Sequence, residues 1–372
     1  MYLDNAATTK PSETVIEAVK RAMVFDWYNP SSSNANSRQV KKIIEEVRHK
    51  CAESIGAEDD EIFFTSGGSE GNNMILKGLH GGLFPIVISK VEHESIMRAT
   101  SNWLSRYTVP VDKHGRVIEK KLDEILENTN AKLLSVMAIN NETGALNDLW
   151  KLSHKAHKHG MFFHTDAVQA YGYIDINVKS LEIDAMTVSG HKINAPKGIG
   201  FVYISRDMQR FMSHIIDGSQ ENGFRGGTEN TYGIVGLGAA LDSLAVKRVS
   251  APSMKEIKVD MKEQIKKRIP NAKFNDSEIG HPGLLSITLP GIDGEALQMA
   301  LELKTIIVSG RSACSSKSKE PSHVLKAIGL TDDEASSTIR VSFDWDFTKT
   351  EANIFVDILC ECVKRLGGNV KS

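Results

Sequence analysis

The chain has 372 residues, of which 41% are hydrophobic and 25% are charged, and its formal net charge is −2. This composition is typical of a globular protein with room for one large and one smaller domain. The near-neutral charge gives no electrostatic reason to expect binding to nucleic acid or to an anionic membrane. No apolar run approaches the roughly 20 residues of a membrane-spanning helix, and the first residues lack a secretory pattern, so we expect a cytoplasmic protein.

The first two thirds of the chain predict short strands that alternate with helices. Apolar residues at helical spacing mark helices over 11–23, 38–55 and 71–79. Strands are predicted over 61–65, 85–89, 133–137, 161–164, 185–188 and 201–204, and intervening helices over 122–126 and 149–159. Such alternation indicates an α/β fold with a mostly parallel sheet covered by helices.

The pattern changes after a helix predicted over 232–249. Strands are then predicted over 284–289 and 339–343, mixed with helices over 294–303, 322–327 and 352–366. This mixture indicates a second domain, of the α+β kind. We therefore assign 12–250 to a large domain and 251–372 to a smaller one, and we expect residues 1–11 to pack against the smaller domain.

Segment 65–70 is a strand-to-helix turn rich in glycine and hydroxyl groups. Glycine lets backbone N–H groups approach an anion, and the start of the following helix favours negative charge. Gly68 and Ser69 are therefore candidates for binding a phosphate group. A plain helix cap, with Glu70 in the first turn, is the alternative.

Two polar groups follow other predicted strands. His93 comes after strand 85–89, and Asn141 comes after strand 133–137. Ligands collect at the carboxyl ends of parallel strands, where His93 could stack on a planar ring or transfer protons and Asn141 could hydrogen-bond a ligand. A surface or helix-capping histidine and a plain turn at Asn141 are the alternatives.

Asp166 and Lys192 point to a cofactor. Asp166 follows a predicted strand, and Lys192 lies just before a Gly/Pro-rich turn, flanked by Ser189 and His191. Pyridoxal phosphate (PLP) needs a lysine that forms a Schiff base and an acid that keeps the pyridine nitrogen protonated. Gln169 lies one helical turn after Asp166 and could reach the hydroxyl group of the ring. A helix-capping aspartate and a solvated surface lysine are the alternatives.

Three further candidates lie in the second half of the chain. Thr228 ends a basic, glycine-rich turn. Arg340 lies in a predicted strand, where a buried guanidinium needs an anionic partner, either a substrate carboxylate or a structural salt bridge. Cys314 lies in the small, polar segment 308–321, which predicts a mobile loop in which a thiol serves for its reactivity.

The four cysteines form no CxxC pair and no zinc pattern, so we expect free thiols and no metal site. Cys51 lies in a helix-like stretch and is expected in the core. Cys360 and Cys362 fall on different faces of the last predicted helix, which predicts that at most one of them is buried.

These features together resemble the cysteine desulfurases of the NifS/IscS group, within class V of the PLP-dependent aminotransferases. The resemblance runs from Tyr2 to Ser342. Its most specific motifs are Asn-Pro-Ser-Ser at 29–32, Asn-Asn-Glu at 140–142, His-Thr-Asp-Ala-Val-Gln at 164–169, Ser-Gly-His-Lys at 189–192, Arg-Gly-Gly-Thr at 225–228 and Ser-Ala-Cys-Ser-Ser at 312–316. It implies the PLP-dependent transferase fold type I, with a mostly parallel seven-stranded sheet in the large domain and a smaller α+β C-terminal domain that carries the cysteine loop.

The resemblance also implies a role for each candidate residue. Lys192 would carry PLP, Asp166 would pair with the pyridinium nitrogen, and His93 would stack on the ring. Arg340 would bind the substrate carboxylate. The other implied contacts are Gln169 and Asn141 to the ring oxygen or the substrate, Gly68, Ser69, Ser189 and His191 to the phosphate, and Thr228 to the phosphate held by the other subunit of a homodimer.

The implied activity converts L-cysteine to L-alanine. Lys192 would take the α-proton, and the Cys314 thiolate would take the sulfur as a persulfide. His93 is the expected proton donor or acceptor. The persulfide would then pass to a sulfur-acceptor protein, such as an iron–sulfur scaffold or a tRNA-thiolation protein.

The chain departs from the family pattern at several places. Gly68-Ser69 stands where Ala-Thr is usual, and Asn34 stands where a histidine is usual. Residues 342–346 read Ser-Phe-Asp-Trp-Asp, and an arginine precedes the Ser-Ala-Cys motif. These changes concern the choice of sulfur acceptor more than the chemistry. The alternatives are a lyase that releases sulfide directly, against which Cys314 argues, and an inert scaffold for iron–sulfur assembly.

Overall fold

A computed structural model describes residues 1–79, 84–103, 105–213, 216–310 and 321–371. The helices in these ranges are α1 (Glu13–Phe25), α2 (Ala35–Glu53), α3 (Gly68–Gly78), α4 (Glu94–Ala99), α5 (Glu119–Glu127), α6 (Leu149–Lys158), α7 (Arg206–Gln209), α8 (Thr231–Arg248), α9 (Ala251–Arg268), α10 (Gly294–Glu302), α11 (His323–Ala327), α12 (Asp332–Ser336) and α13 (Lys349–Arg365). The strands are β1 (Ile62–Thr65), β2 (Ile86–Ser89), β3 (Arg106–Val109), β4 (Leu133–Ser135), β5 (Phe162–Asp166), β6 (Ala185–Ser189), β7 (Gly200–Ile204), β8 (Lys273–Phe274), β9 (Leu284–Thr288) and β10 (Thr338–Ser342).

Seven of the described strands form one sheet, in the order β1-β7-β6-β5-β4-β2-β3. Strand β7 is antiparallel to both of its neighbours, and the other pairs are parallel. The predicted α/β fold with a mostly parallel seven-stranded sheet is therefore confirmed. Edge strand β3 was not predicted, because most of its side chains are partly or fully exposed and leave little apolar signal.

Both faces of this sheet are buried. Along β1, Ile62 and Phe64 pack into one hydrophobic cluster, whereas Phe63 between them packs into another on the opposite face. Successive side chains of a strand point to opposite faces, so helices must cover both. The carboxyl ends of the parallel strands lie at one edge of this sheet. The candidate residues follow these strand ends in the sequence.

A second, antiparallel sheet has the order β10-β9-β8 and packs with α9, α10 and α13 around a separate cluster. The N-terminal segment joins this unit: the Leu3 N–H donates to the Ile307 carbonyl at 2.8 Å, and the Ser342 N–H donates to the Leu3 carbonyl at 2.8 Å. The boundary near residue 250 stays a prediction.

Helix α9 was missed in the sequence, although it carries a usable signal. Its buried residues Met254, Ile257, Met261 and Ile265 follow helical spacing within a highly charged stretch. None of the helices in the described ranges has the length and apolarity needed to cross a membrane.

The prediction that at most one of the cysteines of α13 is buried was wrong. Cys360 and Cys362 are 2% and 1% exposed, so both lie in the core. The reason is that α13 packs against both α9 and α10, which buries a wider arc of its surface than one neighbouring helix would. Cys51 is fully buried, as expected.

Candidate active site

A cavity of about 240 Å³ opens where the parallel strands end. It lies beside the start of α3, the turns after β2, β4, β5 and β6, and strand β10. The predicted site residues that line it are Gly68, Ser69, His93, Asn141, Asp166, Gln169, Ser189, His191, Lys192 and Arg340. The fold thus gathers residues far apart in the sequence around one space.

Two predicted residues are not part of this lining. Thr228 is exposed and lies outside the cavity wall. Cys314 lies outside the described residues. Their predicted roles therefore stay predictions.

Lys192 is held by the N-terminal segment. The lysine follows β6 and is 9% exposed. Its Nζ donates to the carbonyl oxygens of Ala6 and, at 2.7 Å, of Ala7. Gln169 Nε2 donates to the same Ala6 carbonyl at 2.7 Å. Residues 6 and 7 are part of the site because their backbone orients the two side chains that the sequence singled out.

Asp166 is held on both carboxylate oxygens. It is 4% exposed. Its Oδ1 accepts from the Val168 N–H at 2.9 Å, and its Oδ2 accepts from Asn72 Nδ2 at 2.7 Å. Two donors hold the carboxylate in one orientation, as an acid that pairs with a cationic ring nitrogen requires. Sequence reasoning missed Asn72, because it reads as an ordinary position in a helix.

His93 caps helix α4 and lines the cavity. Its Nδ1 accepts from the Ser95 N–H at 3.1 Å and lies 2.8 Å from Ser95 Oγ. The capping alternative and the ligand-facing alternative thus hold together, since one ring nitrogen serves the helix while the ring borders the cavity.

Arg340 lines the cavity and forms the structural salt bridge that was one of its two predicted alternatives. It is 6% exposed, and its Nη2 donates to Asp4 Oδ1 at 2.8 Å. Its Nη1 donates to the Asn141 carbonyl at 2.8 Å. Its buried Nε has no hydrogen-bond partner in the described part of the chain. A guanidinium has five N–H donors, so further donors remain beyond these two hydrogen bonds.

The start of α3 offers backbone donors to an anion. The helix begins at Gly68, and the first N–H groups of a helix have no partner within it. A Cβ atom on Gly68 would lie 2.8 Å from Val168 Cγ2, so the start of the helix packs closely against the turn after β5. This arrangement, with the hydroxyls of Ser69 and Ser189 nearby, fits a phosphate group.

His191 completes this side of the cavity. Its Nδ1 lies 3.1 Å from Thr8 Oγ1. Burial, with a smaller contribution from Lys192 and Lys197, lowers the pKa of His191 to about 4. The imidazole is therefore neutral at physiological pH and serves as a hydrogen-bonding group, not as a cation.

Two residues after the cysteine segment also reach the site. Ser322 Oγ donates to Glu142 Oε2 at 2.5 Å. His323 lines the cavity, and its Nε2 donates to the Glu92 carbonyl at 3.0 Å. Neither residue was predicted from the sequence, because both lie at the start of a predicted helix and carry no motif of their own.

Glu92 is a buried acid at the cavity wall. Its Oε1 accepts from Ser89 Oγ at 2.5 Å and from the Met137 N–H at 2.9 Å. Burial is the largest influence and raises the pKa of Glu92 to about 8. The carboxyl is therefore mostly protonated at neutral pH, although its sequence position suggested nothing unusual.

The residues present fit PLP. Asp166 is oriented as a ring-nitrogen partner, Lys192 is buried in the same cavity wall, and the start of α3 provides donors for a phosphate. Fold and cavity together define a PLP-dependent enzyme with a two-sheet architecture. The chain belongs to the class-V aminotransferase family, whose model matches residues 1–355.

Similar proteins indicate the group within this family to which the chain is related. The chain is 37% identical to cysteine desulfurase IscS of Dictyoglomus turgidum, over 98% of this chain and 95% of that protein. The crystal structure of a NifS-like protein from Rickettsia africae superposes with a TM-score of 0.88 at 32% identity, over 98% of this chain and 99% of that one. A structure described as SspA in complex with cysteine has a TM-score of 0.80 at 30% identity, over 92% and 98% of the two chains. The resemblance and the PLP cofactor are thereby confirmed.

Proposed function

We propose that this protein is a cysteine desulfurase that converts L-cysteine to L-alanine and receives the sulfur as a persulfide on Cys314. The observation that carries the proposal is the single cavity that joins Lys192, Asp166, His93 and Arg340. These side chains come from four different segments, and no structural need explains why they share one space.

The residues of the cavity wall have different roles. Bound PLP supplies an electron sink next to the α-carbon of an amino acid. Asp166 keeps the ring nitrogen protonated, and the Nζ of Lys192 first holds the cofactor and then takes the α-proton. Gly68, Ser69, Ser189 and His191 hold the phosphate.

Arg340 selects an amino acid through its carboxylate. Its Nη2 already bonds Asp4, and its Nη1 already bonds the Asn141 carbonyl. The incoming carboxylate therefore meets a guanidinium that is oriented in advance, which reduces the entropy lost on binding. Nη1 and Nη2 each carry a second hydrogen that can bond this carboxylate.

Sulfur transfer needs only one enzyme thiol, and its atoms and electrons balance. The Cys314 thiolate attacks the sulfur of the substrate, an S–S bond forms, and the C–S bond breaks. The electron pair of the broken bond stays with the β-carbon, which takes a proton from His93. The products are alanine and a persulfide on Cys314, so no further oxidant or reductant is needed.

We further propose a cytoplasmic homodimer. Thr228 supports it, because this residue is exposed and lies outside the cavity of its own chain, as expected of a group that reaches the phosphate of a second copy. The two hydrophobic clusters support the division into domains over 12–250 and over 1–11 with 251–372. The sulfur would pass to an acceptor protein, such as an iron–sulfur scaffold or a tRNA-thiolation protein.

The test measures alanine and sulfide formed from L-cysteine by the purified protein with PLP. We expect Lys192→Ala to abolish alanine formation and Cys314→Ala to abolish the persulfide. Cys51→Ala, which removes a buried thiol, is the matched control and should stay active. Sulfide release by Cys314→Ala at the wild-type rate would indicate a lyase and contradict the proposal.

A further inference from the structure

Asn72 connects two residues that the mechanism treats separately. It is fully buried in α3, and its side-chain nitrogen donates twice. One hydrogen goes to Asp166 Oδ2 at 2.7 Å, and the other goes to Ser95 Oγ at 2.9 Å. An ionised carboxylate only accepts hydrogen bonds, so the amide nitrogen must be the atom that faces Asp166.

Ser95 continues the connection to His93. Its hydroxyl oxygen accepts from Asn72 and lies 2.8 Å from His93 Nδ1. The Ser95 N–H, which can only donate, also points to this ring nitrogen at 3.1 Å. Nδ1 is therefore an acceptor, and the Ser95 hydroxyl donates to it. In the neutral ring, the hydrogen is consequently on Nε2.

The four groups form an unbroken chain of hydrogen bonds, Asp166–Asn72–Ser95–His93. Helices α3 and α4 pack against each other, and the chain crosses between them. Its two ends, Asp166 and His93, both line the cavity. The link therefore fixes the position of the acid relative to the imidazole through two side chains that have no part in the reaction itself.

We propose that Asn72 and Ser95 are positioning residues, which hold Asp166 and His93 in one fixed arrangement and keep the exchangeable hydrogen of His93 on Nε2. The proposal rests on the proposed function for its kinetic consequence only. Its structural consequence concerns how Asp166 and His93 would hold bound PLP, which is measurable without turnover.

The first experiment compares Ser95→Ala with Ser95→Thr, which keeps the hydroxyl. We expect Ser95→Ala to lower kcat for cysteine about tenfold, with KM within about twofold, as loss of one buried hydrogen bond to a catalytic group predicts. Visible circular dichroism of bound PLP should weaken in this variant. Ser95→Thr should recover both properties, and Ser101→Ala, which changes an exposed serine beyond α4, should change neither.

A double-mutant cycle provides the second measurement. Both Asn72→Leu and Ser95→Ala remove the Asn72–Ser95 hydrogen bond, so their losses in kcat and dichroism should be less than additive in the double variant. Additive losses would contradict a connected chain. The proposal is also overturned if Ser95→Ala matches the wild type, or if Ser95→Thr is as impaired as Ser95→Ala.

The proposed function and the positioning chain can fail separately. A wild-type protein that forms no alanine would refute the desulfurase activity. The dichroism of Ser95→Ala against Ser95→Thr would still decide whether the chain positions the ring, because this signal needs only bound PLP.

Discussion

Two clusters in the cavity wall are assembled in different ways. The Asp166 cluster (Asp166, Asn72, Ser95 and His93) comes from strand ends and helices of the large sheet, joined by side-chain hydrogen bonds. The Arg340 cluster (Arg340, Asp4, Asn141 and Ser309) joins the small sheet to the N-terminal segment and to one turn of the large sheet. Asp166 and His93 are thus positioned within one folding unit, whereas Arg340 is positioned by the contact between two.

The largest effect is expected in the Asp166 cluster. Asp166→Ala removes the acid that we propose keeps the ring nitrogen protonated, and it leaves the Asn72 and Val168 donors without their acceptor. We expect kcat for alanine formation to fall about a hundredfold or more, because preorganised charge is the main catalytic contribution. Steady-state kinetics with measured PLP content tests this. An active Asp166→Ala variant that retains the cofactor would remove Asp166 from its assigned role.

Substitutions in the Arg340 cluster should alter the KM for cysteine. Arg340→Lys cannot keep both the Asp4 contact and a two-point contact with a carboxylate. We expect KM for cysteine to rise by about tenfold or more, while the absorbance of bound PLP stays unchanged. Arg206→Lys, an exposed arginine paired with Asp60, is the control. A change in cofactor absorbance without a change in KM would contradict the assignment of the Arg340 cluster to substrate binding.

Glu92, which lines the same cavity, gives a pH-dependent prediction. Its pKa is about 8 in the folded protein, against 4.5 for an ordinary glutamate, so the folded protein keeps a proton that the unfolded chain releases. Raising the pH through this interval therefore lowers the stability of the wild type, by on the order of a few kcal/mol once the pH exceeds the folded pKa.

Glu92→Gln keeps an oxygen for the Ser89 and Met137 donors and cannot ionise. Its melting temperature should depend less on pH than that of the wild type between about pH 5 and about pH 9, with the largest gain at the alkaline end. Thermal unfolding of both proteins across this range is the measurement. Parallel curves would show that Glu92 does not hold its proton.

The smallest effect is expected at His323. A carbonyl oxygen only accepts, so His323 must donate from Nε2 to Glu92, and a glutamine at this position can do the same. His323→Phe should lower kcat about fivefold, and His323→Gln should remain near the wild type. If both variants are equally impaired, the ring acts through proton transfer instead of this hydrogen bond.

The sequence indicated the Asp166 cluster better than the Arg340 cluster, for a physical reason. Alternating strands and helices imply that polar residues after parallel strands meet at one edge of the sheet. This pattern predicts that Asp166, His93 and Lys192 lie close together. Nothing in such a pattern specifies how a second unit docks. The pair formed by Asp4 and Arg340 spans almost the whole chain, and no local periodicity reports it.

The residues that connect Asp166 to His93 were also not predictable from the sequence. Asn72 looks like any polar helical position, and its importance appears only when α3 packs against α4. Edge strand β3 and helix α9 were missed because exposed or charged residues dominate their composition, although the apolar spacing of α9 was present to be found.

The most direct test of the central claim is a mass measurement after a single turnover. The protein loaded with PLP is mixed with an equimolar amount of L-cysteine, trapped without reductant, digested and analysed by mass spectrometry. We predict one added sulfur atom on the peptide that contains Cys314, with alanine formed in equal amount. Alanine formed without added sulfur on Cys314, or with sulfur on another cysteine, would contradict the account.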